Sequence, residues 1–308
     1  MDFREFQYVV TIADCHSITE AAKQLYISQP SLSYALSKIE KEAGMKLFDR
    51  SKQPLVLTEA GEYYVKQARQ FLRAKNNFQS QLADLKNSSS GSVDLGIPAE
   101  RSGYMLPPVI KDFRAKYPTS VFHIREAGTT ELFSLLRNNK VSFLVVPFNR
   151  EDLPAHMVAE YIYPESMILV AAPDAFPPDF FLDPEKRLVD LAKVATHFPF
   201  IGIKKHHSIH GKVDRLFQKA NVTPTLFLEE ESSMSAGLLA AGGLGFTIVP
   251  GRVKAVLGPE ADACCYQCTP QPVHWEVNAI YKEDTYLNRA ERYLIQLLKE
   301  HFGVGADR

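Results

Sequence analysis

The sequence predicts an α/β protein in three parts: an N-terminal winged helix-turn-helix at 1–58, a long linker helix and hinge at 59–90, and a two-lobed domain at 91–308. Three patterns lead to this prediction. Two short helix patterns come first, separated by a tight turn. Apolar residues then recur at spacings of four and three, and beyond them strand and helix patterns alternate.

The first short helix is predicted to begin at Ser17. Its hydroxyl can accept a hydrogen bond from an early helical N–H, and the Glu20 side chain can reach back to the Ser17 backbone. Ala21, Ala22 and Leu25 fall on one face at helical spacing, and small side chains let a neighbouring helix approach closely. We therefore expect the helix to pack through this face.

The second short helix is predicted to be capped by Ser28 and to turn inward through Leu32, Leu36 and Ile39. Its outward face then consists of Gln29, Pro30, Ser31, Ser33, Tyr34 and Lys38. A helix that reads base edges in the DNA major groove presents such a face. An ordinary helical hairpin in a globular core would also show these stripes and caps.

A small β hairpin is predicted after the second helix. Gly44 ends the helix pattern, and Leu47 and Phe48 pair in this interpretation with residues 55–57 around a turn at 51–54. Such a hairpin is a wing. Arg50 and Lys52 at its tip are placed to meet phosphates, whereas the helix is placed to meet base edges.

A spaced set of residues runs through the two helices and the wing: Ala21, Ala22, Leu25, Ile27, Ser28, Gln29, Pro30, Ser31, Leu32, Ser33, Ile39, Glu40, Gly44, Leu47, Phe48, Arg50, Leu57, Thr58, Ala60 and Gly61. This set closely resembles the LysR-type transcriptional regulators. Segments 106–118 and 237–250 also resemble that family. The family often has Arg where this chain has Tyr34, which lacks the bidentate fork that reads guanine.

The resemblance implies a regulator that binds double-stranded promoter DNA and is controlled by a small-molecule effector. It implies a periplasmic-binding-protein-like effector domain with lobe I at 91–162 and 269–308 and lobe II at 163–268. Homodimers through the linker helix that pair into homotetramers are also implied. No enzyme activity, cofactor or metal is expected.

The linker helix carries a heptad seam of Tyr64, Ala68, Phe71, Lys75, Phe78, Leu82 and Leu85. A helix packed on its own protein's core is the alternative to a dimer helix. Asn87 to Gly91 then break the helix pattern and are predicted to form a flexible joint.

Beyond the joint, strands are predicted at 93–97, 121–125, 143–147, 167–171, 200–203 and 274–281, with helices at 102–117, 130–138, 210–220 and 287–301. The alternation over 93–147 is typical of a parallel sheet with helices on both faces, and the strand at 274–281 is predicted to return and complete lobe I. Open sheets of this kind bind ligands at the carboxyl ends of their strands. The residues predicted there are Arg101, Ser102, Thr129, Thr130, Phe148, Gly202, Ile203 and Lys204. Hydroxyls, amides and a cation suit a small anion, most simply a carboxylate.

Composition fits a multi-domain protein, because 308 residues exceed the usual size of one domain. Residues 1–90 hold 12 Lys and Arg against 10 Asp and Glu, so they carry +2, and the remainder carries −3. Charge therefore neither establishes nor excludes nucleic acid binding. No apolar run is long enough to span a bilayer and no export signal is evident, so a cytoplasmic protein without membrane contact is expected.

Two residue clusters offer alternatives. His206 and His210 could share a helix face and bind a metal, but a solvated basic loop is favoured. Cys265 and Cys268 have a CxxC spacing, which raises a thiol-responsive redox regulator. On an extended segment their Cα atoms would be roughly 10 Å apart, too far for a disulfide.

A small-molecule binding protein or enzyme with an accessory helical domain is a further alternative, although no G-x-S-x-G, P-loop or H-E-x-x-H motif occurs.

Overall fold

A computed structural model describes residues 2–85, 91–205, 207, 209–271 and 273–303. The chain divides into two compact units. Unit 1 contains residues 1–91 and Thr285–Arg289, and unit 2 contains Ser92–Asp284 and residues 290–308. The predicted joint at 87–90 and His206 lie outside the described residues. Among the described helices, none is both long enough and apolar enough to cross a membrane.

Unit 1 is built from four helices and a two-stranded hairpin. Its elements are α1 (Phe3–Cys15), α2 (Ile18–Gln24), α3 (Gln29–Ala43), β1 (Phe48–Asp49), β2 (Val56–Leu57) and α4 (Glu59–Leu85). Helix α1 precedes the two short helices predicted from the sequence. It begins with a complete capping box, in which Asp2 accepts from the Glu5 N–H and the Glu5 carboxylate accepts from the Asp2 N–H.

The predicted helix-turn-helix is confirmed. Ser28 accepts the Ser31 N–H as the N-cap of α3, and Leu32, Leu36 and Ile39 are buried against the other helices. The capping box expected at Ser17 is only half formed. Ser17 accepts the Glu20 N–H, but the Glu20 carboxylate accepts from the Lys23 ammonium at 2.8 Å, since a charged partner one turn away is the stronger one.

The wing is held to the start of α4 by Thr58. Its backbone N–H donates to the Leu47 carbonyl, and its hydroxyl donates to the Lys46 carbonyl at 2.6 Å and accepts the Gly61 N–H at 3.0 Å. These bonds bring Gly61 so close to the wing that a Cβ atom there would stand 1.9 Å from the Leu47 carbonyl oxygen. Only glycine fits at this contact.

Helix α4 has a buried half and an exposed half. Val65 and Ala68 belong to the core of unit 1, and Phe71 stacks on Phe6 of α1 with ring centroids 5.2 Å apart. Farther along, Phe78 and Leu85 are 60% and 76% exposed. The first turns of the heptad seam therefore pack on the core of the same chain. The later seam residues are exposed and are available to a second helix.

Unit 2 contains the remaining elements. They are β3 (Ser92–Ile97), α5 (Ala99–Lys116), β4 (Val121–Glu126), α6 (Thr129–Arg137), β5 (Phe143–Pro147), β6 (Met157–Val170), β7 (Phe181–Asp183), β8 (Leu188–Val189), α7 (Leu191–His197), β9 (Phe200–Ile203), α8 (His210–Lys219), β10 (Leu226–Glu230), α9 (Ser233–Leu239), β11 (Thr247–Pro250), α10 (Ala261–Cys264), β12 (Cys265–Tyr266), β13 (His274–Lys282) and α11 (Arg289–Phe302).

The main sheet has the strand order β11-β6-β13-β5-β3-β4, with β12 also on β6. The parallel prediction is right for β3 with β4 and β5, and for β9 with β10. The predicted return strand is β13, which is antiparallel to both β5 and β6. The strand predicted at 167–171 is the second half of β6, which pairs with β13 up to Ser166 and with β11 from Met167.

Helix α5 begins earlier than the sequence predicts. Pro98 adopts an extended conformation as its N-cap, and Ala99 is the first helical residue. Arg101 and Ser102 therefore lie within the first turn of a helix and are buried, instead of lying on a loop after the first strand. A proline with fixed φ is a favourable residue at a helix start.

Replacing Gly61 with alanine should destabilise unit 1 by about 1–3 kcal/mol, because the added methyl must displace the wing backbone. Thermal unfolding followed by circular dichroism measures this. Gly103→Ala is the matched control, since a Cβ there meets nothing within 4 Å and alanine favours a helix by up to about 1 kcal/mol. Equal stability of the two variants would contradict the close contact.

Candidate DNA-binding surface and effector cavity

The outward face of α3 is open to solvent. Gln29, Pro30 and Ser31 in its first turn are exposed, and Tyr34 one turn later is 76% exposed. Ser33 is half-buried. Helical spacing therefore gathers amides, hydroxyls and one phenol on a single convex surface, which can meet both base edges and phosphates.

A buried carboxylate connects α3 to the wing. Glu40 is only 3% exposed, and its Oε1 accepts the Leu47 N–H at 3.0 Å and the Phe48 N–H at 3.4 Å. Its Oε2 lies 2.8 Å from the Lys46 ammonium and 3.5 Å from the Arg50 guanidinium. Glu40 thus fixes the angle between helix and wing. This role was not predicted from the sequence, although a charged residue beside the apolar stripe was the available signal.

Each cation predicted to contact DNA has a carboxylate nearby. Lys52 lies 4.0 Å from Asp49, and Arg50 lies 3.5 Å from Glu40. Lys38 lies 3.6 Å from Glu42 and 3.8 Å from Glu5. All three cations remain exposed, so they can turn to a phosphate, but the local acids explain why the excess positive charge of this segment is small.

Unit 2 contains a cavity of about 380 Å³ at the ends of its strands. Its walls come from the strand-to-helix turns after β3, β4 and β9, from the turn between β10 and α9, and from β13. The lining residues are Pro98, Ala99, Glu100, Arg101, Glu126, Ala127, Gly128, Thr129, Pro147, Glu165, Ile203, His207, Ile209, Glu231, Ser232, Ser233, Pro250, Arg252 and Trp275. The volume lies in the range of small-molecule sites.

Three of the predicted effector residues line this cavity: Arg101, Thr129 and Ile203. The other five lie outside its lining: Ser102, Thr130, Phe148, Gly202 and Lys204. Thr130 points to solvent, and Phe148 packs on Phe133 with ring centroids 4.7 Å apart. The Lys204 ammonium lies 2.6 Å from Glu231. The expectation that ligands bind at the carboxyl ends of the strands therefore located the cavity, but it did not identify the individual side chains that face it.

Arg101 is the centre of a buried charge network. Its guanidinium donates to Glu165 at 2.6 Å and to the Tyr163 hydroxyl, and both Arg101 and Glu165 are almost fully buried. Arg252 donates to the other oxygen of Glu165 at 2.9 Å and to Glu100 at 3.1 Å. Two arginines and two glutamates thus neutralise one another inside the lining.

The pKa values in the network follow from this geometry. Burial alone would raise the pKa of Glu165, but the Arg101 and Arg252 guanidinium groups hold it below its usual value. The pKa of Glu100 is likewise lowered, because hydrogen bonds from Ser232 and Ser233 and the charge of Arg252 outweigh desolvation. Both carboxyls are therefore ionised at neutral pH.

Glu100 lies where α5 faces the start of α9. Its carboxylate accepts the Ser233 hydroxyl at 2.5 Å, the Met234 N–H at 3.5 Å and the Arg252 guanidinium at 3.1 Å. Glu100, Glu165 and Arg252 were not predicted as site residues. The signal for Arg252 was its position just after the apolar segment 237–250, and that for Glu165 was a lone acid beside the strand pattern at 167–171.

The cysteines do not form a disulfide, and all four are free thiols. Burial raises the pKa of Cys265 to about 11 and that of Cys268 to about 12. A thiol with a raised pKa is a poor nucleophile. Within the residues that the structure describes, no group of His, Cys, Asp or Glu is arranged to hold a metal ion.

A winged helix with an exposed recognition helix and an α/β unit with a polar cavity define a ligand-binding transcription regulator. The chain belongs to the LysR family: the family described as "Bacterial regulatory helix-turn-helix protein, lysR family" matches residues 3–62, and "LysR substrate binding domain" matches residues 86–303. It is a LysR-type DNA-binding transcriptional regulator with an effector-binding domain.

Individual relatives agree along the whole chain. The uncharacterized HTH-type transcriptional regulator YwbI of Bacillus subtilis is 26% identical over 303 residues, which cover 98% of this chain and 97% of YwbI. A full-length OxyR variant from Pseudomonas aeruginosa superposes with a TM-score of 0.67 at 20% identity, covering 100% of both chains. Full-length CbnR, solved in complex with its target DNA, gives a TM-score of 0.59 at 18% identity, covering 97% of this chain and 99% of CbnR.

Glu165→Gln should destabilise unit 2 by about 3–5 kcal/mol, because it leaves Arg101 and Arg252 buried without their shared counter-charge. Urea unfolding followed by circular dichroism measures the loss. Glu126→Gln is the matched control, because Glu126 lines the same cavity but is exposed and should tolerate the change with little effect on stability.

The stability of unit 2 should fall in acid because of Glu165 and Glu100. Their folded-state pKa values are lowered, so their contribution is complete above the unfolded value of about 4.5 and is lost as the pH falls through the folded values. Unfolding measured from pH 6 downward, at about one-unit steps, should show a shallower decline below that value in Glu165→Gln than in the wild type. Parallel curves would contradict this assignment.

Proposed function

We propose that this regulator binds a pseudo-palindromic promoter site as a dimer, with the two α3 helices in successive major grooves and the two wings on the phosphates. Gln29, Pro30, Ser31, Ser33, Tyr34 and Lys38 would face bases and nearby phosphates, while Arg50 and Lys52 would grip the backbone. The exposed polar face of α3 supports this proposal most directly. CbnR, similar in fold, was solved with its target DNA.

The dimer would form through the open half of α4. Phe78, Leu82 and Leu85 are exposed in a single chain and continue the heptad seam. Apolar side chains in such a row are stabilised when a second helix covers them. Pairing of dimers into tetramers follows from the family resemblance and is part of the same proposal.

The cavity of unit 2 would hold the effector, and occupancy would favour one arrangement of the paired DNA-binding heads. The carboxylate-like effector predicted from the sequence stays a prediction, and two of the groups it was argued from, Arg101 and Lys204, are paired with glutamates. Control through Cys265 and Cys268 is disfavoured by their raised pKa values.

Footprinting on the DNA upstream of the protein's own gene tests the function. We expect protection of two half-sites separated by about one helical turn or a multiple of it. Absence of protection at low salt by a folded protein would contradict the proposal.

Two variants separate the expected contacts. Gln29→Ala should reduce the preference for the specific site with the fold intact, because it removes a candidate base contact. Lys52→Ala should weaken binding on all sequences and lower the slope of log affinity against log salt by about 1. Affinity measurements over a salt series check both. Lys219→Ala, an exposed lysine at the end of α8 in unit 2, is the control and should leave both properties unchanged.

A further inference from the structure

Tyr26 lies in the turn between α2 and α3, three residues before the first residue of the recognition helix. Leu25 and Ile27 on either side pack against the core of unit 1, whereas the Tyr26 side chain is 95% exposed. No other large apolar side chain in the described part of the chain is as exposed. The Tyr26 ring and hydroxyl make no hydrogen bond or ring contact with any residue that the structure describes.

The backbone of Tyr26 is in the left-handed region, with a φ of +56°. A large side chain adopts this conformation with strain, whereas Gly and Asn adopt it readily. Among the described residues, the other non-glycine residues with positive φ are His16, Asn139, His156, Asp174, Arg187 and Asn221. All but Arg187 are of the three types most often found there. The Arg187 guanidinium is held by the Ala263 and Cys265 carbonyls, so Tyr26 alone has neither explanation.

The strained position indicates a function for the side chain, because folding alone would be served better by glycine or asparagine. The turn joins the two helices of the helix-turn-helix. In this motif the first helix crosses the DNA backbone, and the N-terminal residues of the second contact base edges. A side chain at their junction therefore lies near the backbone beside the groove. A tyrosine hydroxyl is one of the neutral groups that bond to phosphate oxygens.

We propose that Tyr26 contacts the DNA backbone, with its hydroxyl donating to a phosphate oxygen at the edge of the major groove that receives α3. This contact accounts for a large side chain in a conformation suited to glycine or asparagine. It adds affinity on every sequence and adds no charge. The inference rests on the proposed function, because it assigns a further residue to the DNA-binding surface of α3 and the wing.

Tyr26→Phe in the full-length protein tests the hydroxyl. The variant is titrated against a duplex that carries the protected site and against a duplex of unrelated sequence. Affinity for both should fall by about tenfold, because a hydrogen bond to a charged phosphate is lost. The slope of log affinity against log salt should stay at the wild-type value, since no positive charge is removed. Lys52→Ala, by contrast, should lower that slope, and Gln29→Ala should act on the specific site.

Tyr161→Phe is the matched control, because it removes a phenol hydroxyl from a half-buried residue of β6 in unit 2, where no DNA contact is proposed. It should bind both duplexes as the wild type does. Circular dichroism checks that both variants are folded. Equal affinities of Tyr26→Phe and Tyr161→Phe overturn the phosphate contact.

Tyr26→Asn tests whether DNA binding accounts for the strained residue. Asparagine adopts the left-handed conformation with less strain, so the melting temperature should rise by a few degrees. Its shorter side chain does not reach the phosphate, so affinity should fall at least as far as in Tyr26→Phe. A purely structural role predicts an unchanged or lower melting temperature with wild-type DNA binding, and that result overturns the proposal.

Ethylation interference locates the phosphate that Tyr26 contacts. In the wild type, ethylation of one phosphate beside each half-site should prevent binding. Tyr26→Phe should be insensitive to ethylation at that position while the other positions still interfere. The same interference pattern in both proteins overturns the contact.

The outcomes separate this inference from the proposed function. Specific protection by the wild type together with undiminished affinity in Tyr26→Phe overturns the Tyr26 contact and leaves the regulator supported. Absence of protection by the wild type overturns the regulator and, with it, this contact. Protection by the wild type with an equal loss of affinity on both duplexes in Tyr26→Phe supports both.

Discussion

The buried network of Arg101, Glu165, Arg252 and Glu100 is the interaction on which the form of the cavity depends. Glu165 lies on β6, the strand whose pairing passes from β13 to β11, so its carboxylate stands where the two parts of the sheet meet. Arg252 reaches it from beyond β11, and Arg101 reaches it from α5. Replacing such a network by apolar residues can be neutral for stability, but removing one member leaves a charge unpaired. Its contribution is therefore to geometry: it fixes α5 against α9.

A buried carboxylate also fixes the arrangement of α3 and the wing in unit 1. Glu40 is a single buried carboxylate that receives two backbone N–H groups of the wing, and it also lies beside Lys46 and Arg50. In both units a buried acidic side chain connects separate elements: Glu40 connects α3 to the wing that follows it, and Glu165 connects β6 to α5. Hydrogen bonds to a charged acceptor are stronger and more directional than neutral ones. The geometry of each functional surface therefore depends on a residue that would not itself touch DNA or effector.

Helix caps and the spacing of apolar residues predicted much of this fold. Most of what they did not predict depends on contacts between residues far apart in the sequence. The caps at Ser17 and Ser28 and the stripe of Leu32, Leu36 and Ile39 follow from spacing within one or two helical turns. The direction of β13 does not, because it depends on where the chain returns. The cavity was located by the rule for strand ends, but the pairing of Arg101 with Glu165 joins residues far apart in sequence, and no local pattern reveals it.

That pairing also changes what the site residues mean chemically. Read from sequence, Arg101 and Lys204 are cations beside hydroxyls and favour an anionic ligand. In the folded chain each cation is neutralised by a glutamate, and the carboxylate position at Ser233 is occupied by Glu100. The charge that a ligand meets is the charge left after such internal pairing, since a neutralised arginine attracts an anion only at the cost of its first partner. The chemistry of this cavity therefore follows from its internal ion pairs and from the N–H groups left without an acceptor among the described residues, which include Arg101 Nε, Arg252 Nε and the Trp275 indole.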